Sequence, residues 1–318
     1  MRRRLVYSHH YDFRLPLIER IHPFDGKKYS RAWAHVKEQF VNIDEHVSVV
    51  DEPADDSLLA QVHNIEYLKS LSSTKAISEV IEVPLLRMIP GSFLTKGLVI
   101  PSKYATAGTV LAAQQALSGQ LVFNLGGGYH HAFADHGEGF CFFADAALAI
   151  ESLRMKNLLA ADDKVLMIDL DAHRGNGFES FFGHDDYVSI FDMYNMQVYP
   201  GLHPGEPDDL PYMIPMRSGL QTAEYLSILN EELPKFLKEN SNAKLVFYNA
   251  GTDIIAGDKL GGLMVEYDGV RQRDNKVVEH LDALGLPTVI MTSGGYSDRS
   301  WQLIADLAIS LIRGNERG

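Results

Sequence analysis

Short apolar runs alternate with longer amphipathic segments along most of the chain. The runs at residues 121–125, 165–170, 188–191, 245–249 and 288–292 have the length and composition of strands that are buried on both faces. The amphipathic segments predict helices at 28–40, 57–71, 105–117, 144–159, 222–237, 267–284 and 300–312, the second of them capped by Ser57. This alternation is typical of an α/β fold in three layers, in which helices cover both faces of one parallel sheet.

The composition of the chain indicates how many domains it forms and where in the cell it is found. The chain has 318 residues, 46% of them hydrophobic, and contains no repeat, low-complexity tract or flexible linker. We therefore expect one domain over residues 1–318, with a frayed tail at 313–318. Cys141 is the single cysteine, and no apolar run approaches the length of a membrane span. Both features favour a cytoplasmic protein, or one that also enters the nucleus if the source is eukaryotic.

The net charge of the chain limits the classes of molecule that it is expected to bind. The net charge is −13, from 29 basic and 42 acidic residues. A protein this acidic is not expected to bind nucleic acid directly, because the phosphate backbone would repel it. An acidic surface does tolerate a basic peptide as a substrate.

Residues with metal-binding or catalytic chemistry follow four of the predicted strands. In chain order they are His130 and His131, then Asp171 and His173, then Asp253, and finally Tyr296. Ligands of open α/β sheets bind beyond the carboxyl ends of the strands, so these six side chains are expected to share one site.

Asp171, His173 and Asp253 are the candidate metal ligands. The first two are separated by one residue, so an extended backbone points both side chains to the same side. Three protein ligands beside an open position are the pattern of a catalytic zinc site. Iron and manganese accept the same oxygen and nitrogen atoms, and a strand end with solvated acids is the alternative interpretation of the motif.

The remaining candidates supply acid–base chemistry. His130 and His131 follow three glycines, which permit positive φ angles and close backbone approach. A histidine at this position can take a proton from a metal-activated water and return it to a leaving amine. Tyr296 follows two glycines, and its hydroxyl is predicted to polarise the substrate carbonyl, although such a tyrosine alone is more often a packing residue.

Other features have structural interpretations or alternatives. Gly139, Phe140 and Tyr199 are predicted to wall a narrow substrate channel, while packing in the core explains the two aromatic residues equally well. Cys141 is expected to pack as a small hydrophobic residue. The glycines at 126–128 lack the spacing of a dinucleotide-binding fingerprint.

At these residues the chain resembles the histone deacetylase family, and especially its class IV branch. The resemblance covers most of the chain and rests on several motifs in the expected order. They are HPFD at 22–25, VHNIEYL at 62–68, GYHH at 128–131, GFCFFAD at 139–145, DLDAH at 169–173, YPG at 199–201, NAGTD at 249–253, GDKLGG at 257–262 and GGY at 294–296.

The resemblance implies an arginase/deacetylase-type fold with one catalytic Zn²⁺. Asp171, His173 and Asp253 match the zinc ligands of the family, and Tyr296 matches its carbonyl-polarising tyrosine. His130 and His131 match the paired histidines, and Asp169 matches the acid that hydrogen-bonds the first of them. A potassium ion near residues 169–173 is also implied.

Two positions differ from the class I pattern and agree with class IV. Arg174 replaces a second histidine, and Asn176 replaces the acid that is paired with His131. An amide orients an imidazole but does not stabilise its protonated form as a carboxylate does. We therefore expect the pKa values of the two histidines to differ, with His131 neutral and acting as the general base, and His130 protonated and acting through its charge.

The expected activity is removal of an acyl group, acetyl or a longer fatty acyl, from the side-chain amine of lysine in proteins or peptides. A deacetylase of small acetylated amines such as polyamines is the first alternative. A deacetylase-like scaffold without activity and an arginase-like enzyme with two metals are the others. Arg174 and Asn176 disfavour the last, because they occupy positions from which acids would bind a second metal.

Overall fold

One parallel sheet forms the centre of the molecule in a computed structural model, which describes residues 1–14, 23–201 and 210–315. Its strands are β1 (Arg2–Tyr7), β2 (Val47–Val49), β3 (Gln120–Asn124), β4 (Val165–Asp169), β5 (Val188–Asn195), β6 (Met213–Met216), β7 (Leu245–Asn249) and β8 (Thr288–Met291). Their order in the sheet is β2-β1-β3-β8-β7-β4-β5-β6, and every neighbouring pair is parallel. His22 and residues 316–318 lie outside the described residues.

Helices flank this sheet. They are α1 (Lys28–Gln39), α2 (Asp56–Leu59), α3 (Ile65–Ser70), α4 (Thr74–Val80), α5 (Gly91–Leu94), α6 (Ile100–Ala116), α7 (Asp145–Met155), α8 (Asn176–Phe182), α9 (Thr222–Glu239), α10 (Tyr267–Ala283) and α11 (Ser300–Asn315). Short 3₁₀ turns lie at Ile43–His46 and Pro84–Met88, and a π turn at Thr95–Val99 leads into α6. Helix α6 packs on α7 and β3, whereas α11 packs on α1, α10 and β1. The predicted α/β class with a parallel sheet is confirmed.

The strand order explains why one site collects residues from distant parts of the chain. Strands β3, β8, β7 and β4 are consecutive neighbours in the sheet. All residues of β4, β7 and β8 are buried, as their uninterrupted apolar runs predict. Because parallel strands end at the same edge, the four segments that follow them meet there.

Three strands were not predicted. Strand β1 begins with Arg2, Arg3 and Arg4, and only its last three residues are buried, so the apolar signal is short. Strands β2 and β6 are edge strands with partly exposed residues, which weakens their periodicity. Edge strands of a parallel sheet need not be apolar on both faces, and pattern alone misses them.

Two predictions about helices are wrong. The segment 57–71 contains two short helices, α2 and α3, and Asp55 rather than Ser57 caps the first: its Oδ1 accepts the Leu58 N–H at 2.7 Å. The helix predicted at 300–312 is also too short, because α11 continues to Asn315. Asn315 Oδ1 accepts the Arg3 N–H and Asn315 Nδ2 donates to the Arg3 carbonyl, each at 2.8 Å, which holds the last turn against β1.

Among the described residues no helix is both long and apolar enough to cross a bilayer.

Candidate active site

The three predicted metal ligands meet at the carboxyl edge of the sheet. Asp171, His173 and Asp253 each offer one ligand atom, and these atoms lie within 4.8 Å of one another. Both carboxylates are fully buried, and His173 is 5% exposed. His173 Nδ1 lies 2.9 Å from Asp171 Oδ1 and 3.0 Å from Asp253 Oδ2. Two acids from different strands therefore converge on one imidazole.

The charges in this group favour a bound cation. Burial raises the pKa of Asp253, and the charge of Asp171 adds to the effect, giving a pKa of about 7. Burial opposes the charge on His173, but the two carboxylates outweigh it and raise the pKa of His173 well above its ordinary value. Two buried carboxylates are stable only beside positive charge. Oxygen and imidazole donors of this number fit a divalent cation such as zinc.

Backbone contacts fix the two carboxylates. The Gly294 N–H donates to Asp171 Oδ2 at 2.8 Å, and the Ala172 N–H donates to Asp253 Oδ1 at 2.8 Å. Behind them, the fully buried Arg273 donates from Nη1 to the carbonyls of Leu170, at 3.0 Å, and Gly251, at 2.6 Å. The guanidinium thus joins the two strand ends that carry the acids.

His130 and His131 lie beside this group with different partners. His130 Nδ1 is 2.8 Å from Asp169 Oδ2, and His131 Nδ1 is 2.7 Å from Asn176 Oδ1. Gly127 and Gly128 have φ angles of 78° and 80°, so the predicted use of left-handed glycine conformations before the pair is confirmed. Both partners predicted from the sequence are the partners that the structure provides.

The pKa values of the two histidines move in opposite directions. Burial opposes protonation of His130, yet the carboxylates of Asp169 and Asp171 outweigh it and raise the pKa to about 9. Burial lowers the pKa of His131 well below its ordinary value, and the charges of His130 and His173 act in the same direction. The predicted difference agrees with these shifts.

Tyr296 completes the floor of a small cavity, which is lined also by Phe24, His130, His131 and Asp171. Its ring packs edge-on against His173, with centroids 6.1 Å apart. Burial raises the pKa of the phenol well above its ordinary value, and the charge of Asp253 adds to this. The hydroxyl therefore keeps its proton and remains a hydrogen-bond donor.

Two of the three predicted channel residues line this cavity, and the third contacts a histidine that lines it. Gly139 and Phe140 line it, and the ring of Tyr199 packs edge-on against His131 with centroids 5.2 Å apart. Gly139 and Phe140 have φ angles of 52° and 66°, and the Cys141 N–H donates to the Glu138 carbonyl at 2.8 Å, which defines a type I′ turn. A left-handed phenylalanine costs about 1–3 kcal/mol, a cost that tends to be retained at functional sites.

Comparison with known proteins identifies the family of this chain. The sequence model of the histone deacetylase domain matches residues 22–312. The chain belongs to the histone deacetylase family. It is 37% identical to histone deacetylase 2 of Arabidopsis thaliana over 310 residues, which are 97% of this chain and 78% of that protein.

More distant histone deacetylases agree. Histone deacetylase 8 of Xenopus laevis is 29% identical over 211 residues, which are 62% of this chain and 61% of that protein. The crystal structure of the HDA15 HD domain matches with a TM-score of 0.75, covering 99% of this chain and 92% of that one, at 19% identity. The latter likeness supports the arginase/deacetylase-type fold.

Within this histone deacetylase fold, three residues near the site were not predicted from the sequence. Glu138 accepts a hydrogen bond from Asn176 Nδ2 at 2.7 Å, and nothing in its local sequence marks it. Asp258 accepts the Tyr296 N–H at 2.7 Å, and its place in the GDKLGG motif was an available signal. Lys28 is fully buried and donates to the Ser293 carbonyl at 2.8 Å, although a lysine in an amphipathic helix is expected on the surface.

Proposed function

We propose that this protein is a zinc-dependent hydrolase that removes an acyl group from the side-chain amine of lysine. One observation carries the proposal: a buried group of two carboxylates and one imidazole lies beside a cavity lined by Asp171 of that group, by two histidines whose pKa values shift in opposite directions, and by Tyr296. Membership of the histone deacetylase family agrees with amide hydrolysis. Each of these groups has a distinct task in that reaction.

Asp171, His173 and Asp253 would hold the zinc ion. When bound, a zinc ion acidifies water and polarises a carbonyl oxygen. The protein prepares for it by burying the three ligands and by fixing each carboxylate with a backbone N–H. The preorganised donors lower the cost of ordering the site when the ion binds.

His131 acts as the general base. Its low pKa keeps the imidazole neutral near pH 7, so that one ring nitrogen is free to accept a proton from the attacking water. The water oxygen then bonds to the acyl carbon, and the charge that develops on the carbonyl oxygen receives a hydrogen bond from the Tyr296 hydroxyl. His130 adds positive charge at the same floor, because Asp169 keeps it protonated.

The reaction ends with cleavage of the carbon–nitrogen bond. The leaving amine takes a proton from a protonated histidine, and the acyl group departs as a carboxylic acid. Phe140 and Tyr199 line the approach to the floor and would enclose the four-carbon stem of the lysine. Two carboxylates, those of Glu82 and Glu138, lie near Gly139. Their negative charge favours a substrate with positively charged groups on either side of the acylated lysine.

A potassium ion is part of the proposal. Asp192 Oδ1 is buried without a hydrogen-bond partner among the described residues, and Asp192 pairs with Asp169 in the register of β4 and β5. Burial and the charge of Asp169 raise the pKa of Asp192 well above its ordinary value. Oxygen atoms in this setting fit a monovalent cation. Thermal unfolding in potassium chloride and in tetramethylammonium chloride tests this, with a higher Tm expected in potassium.

Class IV membership and a cytoplasmic location are also proposed. Arg174 and Asn176 support the class, because class I enzymes carry a histidine and an acid at these positions. Arg174 donates to both oxygens of Glu179 and so cannot bind a metal.

The single cysteine supports the cytoplasmic location, with nuclear entry an added option in a eukaryote. Cell fractionation tests it.

The deciding experiment is a substrate panel with the purified zinc-loaded protein. Peptides with acetyl-lysine through myristoyl-lysine and an acetylated polyamine separate protein deacylation from small-amine deacetylation and define the acyl length. Turnover of a peptide is expected together with one zinc per chain. Stoichiometric zinc without turnover of any acylated amine would favour a non-catalytic scaffold and contradict the proposal.

Two variants assign the chemistry. Tyr296→Phe is expected to lower kcat on the order of 10²–10³-fold with normal zinc content, because only the oxyanion donor is lost. Asp253→Asn is expected to lower zinc occupancy instead, which metal analysis measures directly. Unchanged turnover by Tyr296→Phe would remove the phenol from the mechanism.

A further inference from the structure

The Asn176 amide lies between the general base and a carboxylate. Its Oδ1 is 2.7 Å from His131 Nδ1, and its Nδ2 donates to Glu138 Oε1 at 2.7 Å. An ionised carboxylate accepts hydrogen bonds and does not donate them. Glu138 therefore requires the amide nitrogen of Asn176 on its own side, which leaves the amide oxygen facing His131.

This orientation determines which nitrogen of His131 carries the proton. The Oδ1 atom of Asn176 accepts, so His131 Nδ1 must be the protonated nitrogen and Nε2 keeps its lone pair. The opposite orientation of the amide would direct an N–H at Nδ1 and would select the tautomer with a proton on Nε2. A general base of this kind needs the free Nε2. The Gly177 N–H also donates to Asn176 Oδ1, at 3.0 Å, and supports the same orientation.

Glu138 is itself held in place. It occupies the first position of the type I′ turn, whose hydrogen bond joins the Glu138 carbonyl to the Cys141 N–H. Burial and the nearby Glu138 carboxylate raise the pKa of the Tyr199 phenol. The Glu138 side chain is 28% exposed, so it is partly accessible to solvent. One carboxylate thus connects the channel wall with the partner of the general base.

We propose that Glu138 is a positioning residue, which sets the tautomer of His131 by orienting the Asn176 amide. The proposal rests on the proposed hydrolase function, in which His131 is the base. Glu138 does not contact the reacting atoms in this role. A relay through the Asn176 amide to the Glu138 carboxylate replaces the direct carboxylate partner that His130 has in Asp169.

Two substitutions at Glu138 separate positioning from charge. Glu138→Ala removes the acceptor and is expected to lower kcat about 10-fold with zinc content unchanged, because the amide is then free to turn. Glu138→Gln removes the charge but keeps a carbonyl acceptor, so it is expected to restore kcat. If Glu138 served only to attract a cationic substrate, both variants would raise KM with kcat unchanged, and the proposal would be wrong. Asp135→Asn is the matched control, since it removes an exposed carboxylate that does not contact Asn176.

Nitrogen-15 spectra of the zinc-loaded protein, labelled at its 13 histidines, give a readout independent of turnover. His131 is expected to show a protonated Nδ1 and an unprotonated Nε2 in the natural protein and in Glu138→Gln, and a mixture of tautomers in Glu138→Ala. An unchanged tautomer in Glu138→Ala would overturn the proposal. A natural protein that is inert toward every acylated amine contradicts the hydrolase function, whereas the tautomer measurement still decides the role of Glu138.

A double substitution tests the coupling between the two residues. Asn176→Asp would put a carboxylate oxygen in the place of Nδ2, 2.7 Å from Glu138 Oε1, where two ionised groups repel strongly. The single variant is expected to lose about 10-fold in kcat, and Asn176→Asp combined with Glu138→Gln to regain most of it, since the glutamine amide donates to the new carboxylate. Equal activity of the single and double variants would show that Glu138 does not act through position 176.

Discussion

The two histidines of the cavity floor are adjacent in the chain, yet they occupy contrasting surroundings. The inner region contains His130 with Asp169 and Asp171, whereas the outer region contains His131 with Asn176 and Glu138. His130 is 6% and His131 is 4% exposed, so burial does not distinguish them. The partners do: two carboxylates raise the pKa of His130 to about 9, while an amide leaves the pKa of His131 well below its ordinary value.

This contrast explains how one small cavity holds both a cation and a base. Groups of the same type that are driven to different pKa values can take different roles at one pH. The inner imidazole keeps its proton and stabilises negative charge, and the outer imidazole keeps a lone pair and accepts a proton.

The largest effect is expected from removing the base. His131→Ala should lower kcat by about 10²–10⁴-fold, because a general base contributes on that order. His130→Ala should lower kcat less, since it removes a charge and leaves the proton acceptor in place. Steady-state kinetics on an acylated peptide at pH 8, with zinc content measured for both proteins, checks the order. A greater loss in His130→Ala would reverse the assignment of the two regions.

Asp169→Asn would make the inner region resemble the outer one. An amide still accepts a hydrogen bond from His130 but no longer supports its charge, so the pKa of His130 should fall from about 9. Activity that needs the protonated form should then be lost at a lower pH than in the natural protein, and kcat at pH 8 should fall by about 10–100-fold. A pH–rate profile for both proteins is the measurement. Superimposable alkaline limbs would contradict the role of the inner cation.

The smallest effect concerns His63, a buried histidine outside the site, whose Nε2 accepts the Ala144 N–H at 3.0 Å. Burial lowers its pKa to about 4. The folded state therefore resists protonation, whereas the unfolded chain takes up a proton near pH 6.5. The contribution to stability is complete above pH 6.5 and falls by about 1.4 kcal/mol per pH unit as the pH drops towards 4.

Urea unfolding of the natural protein and His63→Gln at pH 7 and pH 5.5 measures this contribution. Glutamine keeps an acceptor for the Ala144 N–H and does not titrate, so the variant should lose less stability between the two pH values. An equal loss in both proteins would show that burial without a carboxylate does not control this histidine, and would weaken the same explanation for His131.

Much of the site was predictable because it follows buried parallel strands. Apolar runs identified β3, β4, β7 and β8, and the residues after them were the candidates that form the metal-ligand group and line the cavity beside it. The edge strands β2 and β6 were missed because their residues are partly exposed. The helix predicted at 57–71 is two helices because Asp55 begins the first of them and a loop interrupts the pattern before α3.

The residues that hydrogen-bond to the catalytic groups were also only partly predictable. Asp169 and Asn176 were predicted as partners of the histidines from the resemblance to the histone deacetylase family, and the structure places both within hydrogen-bond distance. Glu138 and Lys28 were not predicted. Glu138 acts through a turn that brings it to Asn176, and Lys28 is buried by packing from an element that looks amphipathic in isolation.

The amino-acid sequence by itself determined the fold class, the four strand ends and the types of group they carry, because strand burial and side-chain chemistry are local properties. Tertiary structure alone decided the strand order, the distances at which Asp171, His173 and Asp253 meet, and the burial and neighbouring charges that shift the pKa values of the two adjacent histidines. Those features depend on distances between residues remote in the chain and on the loss of water around them. Electrostatic energies change steeply with both, and neither is encoded in any short segment.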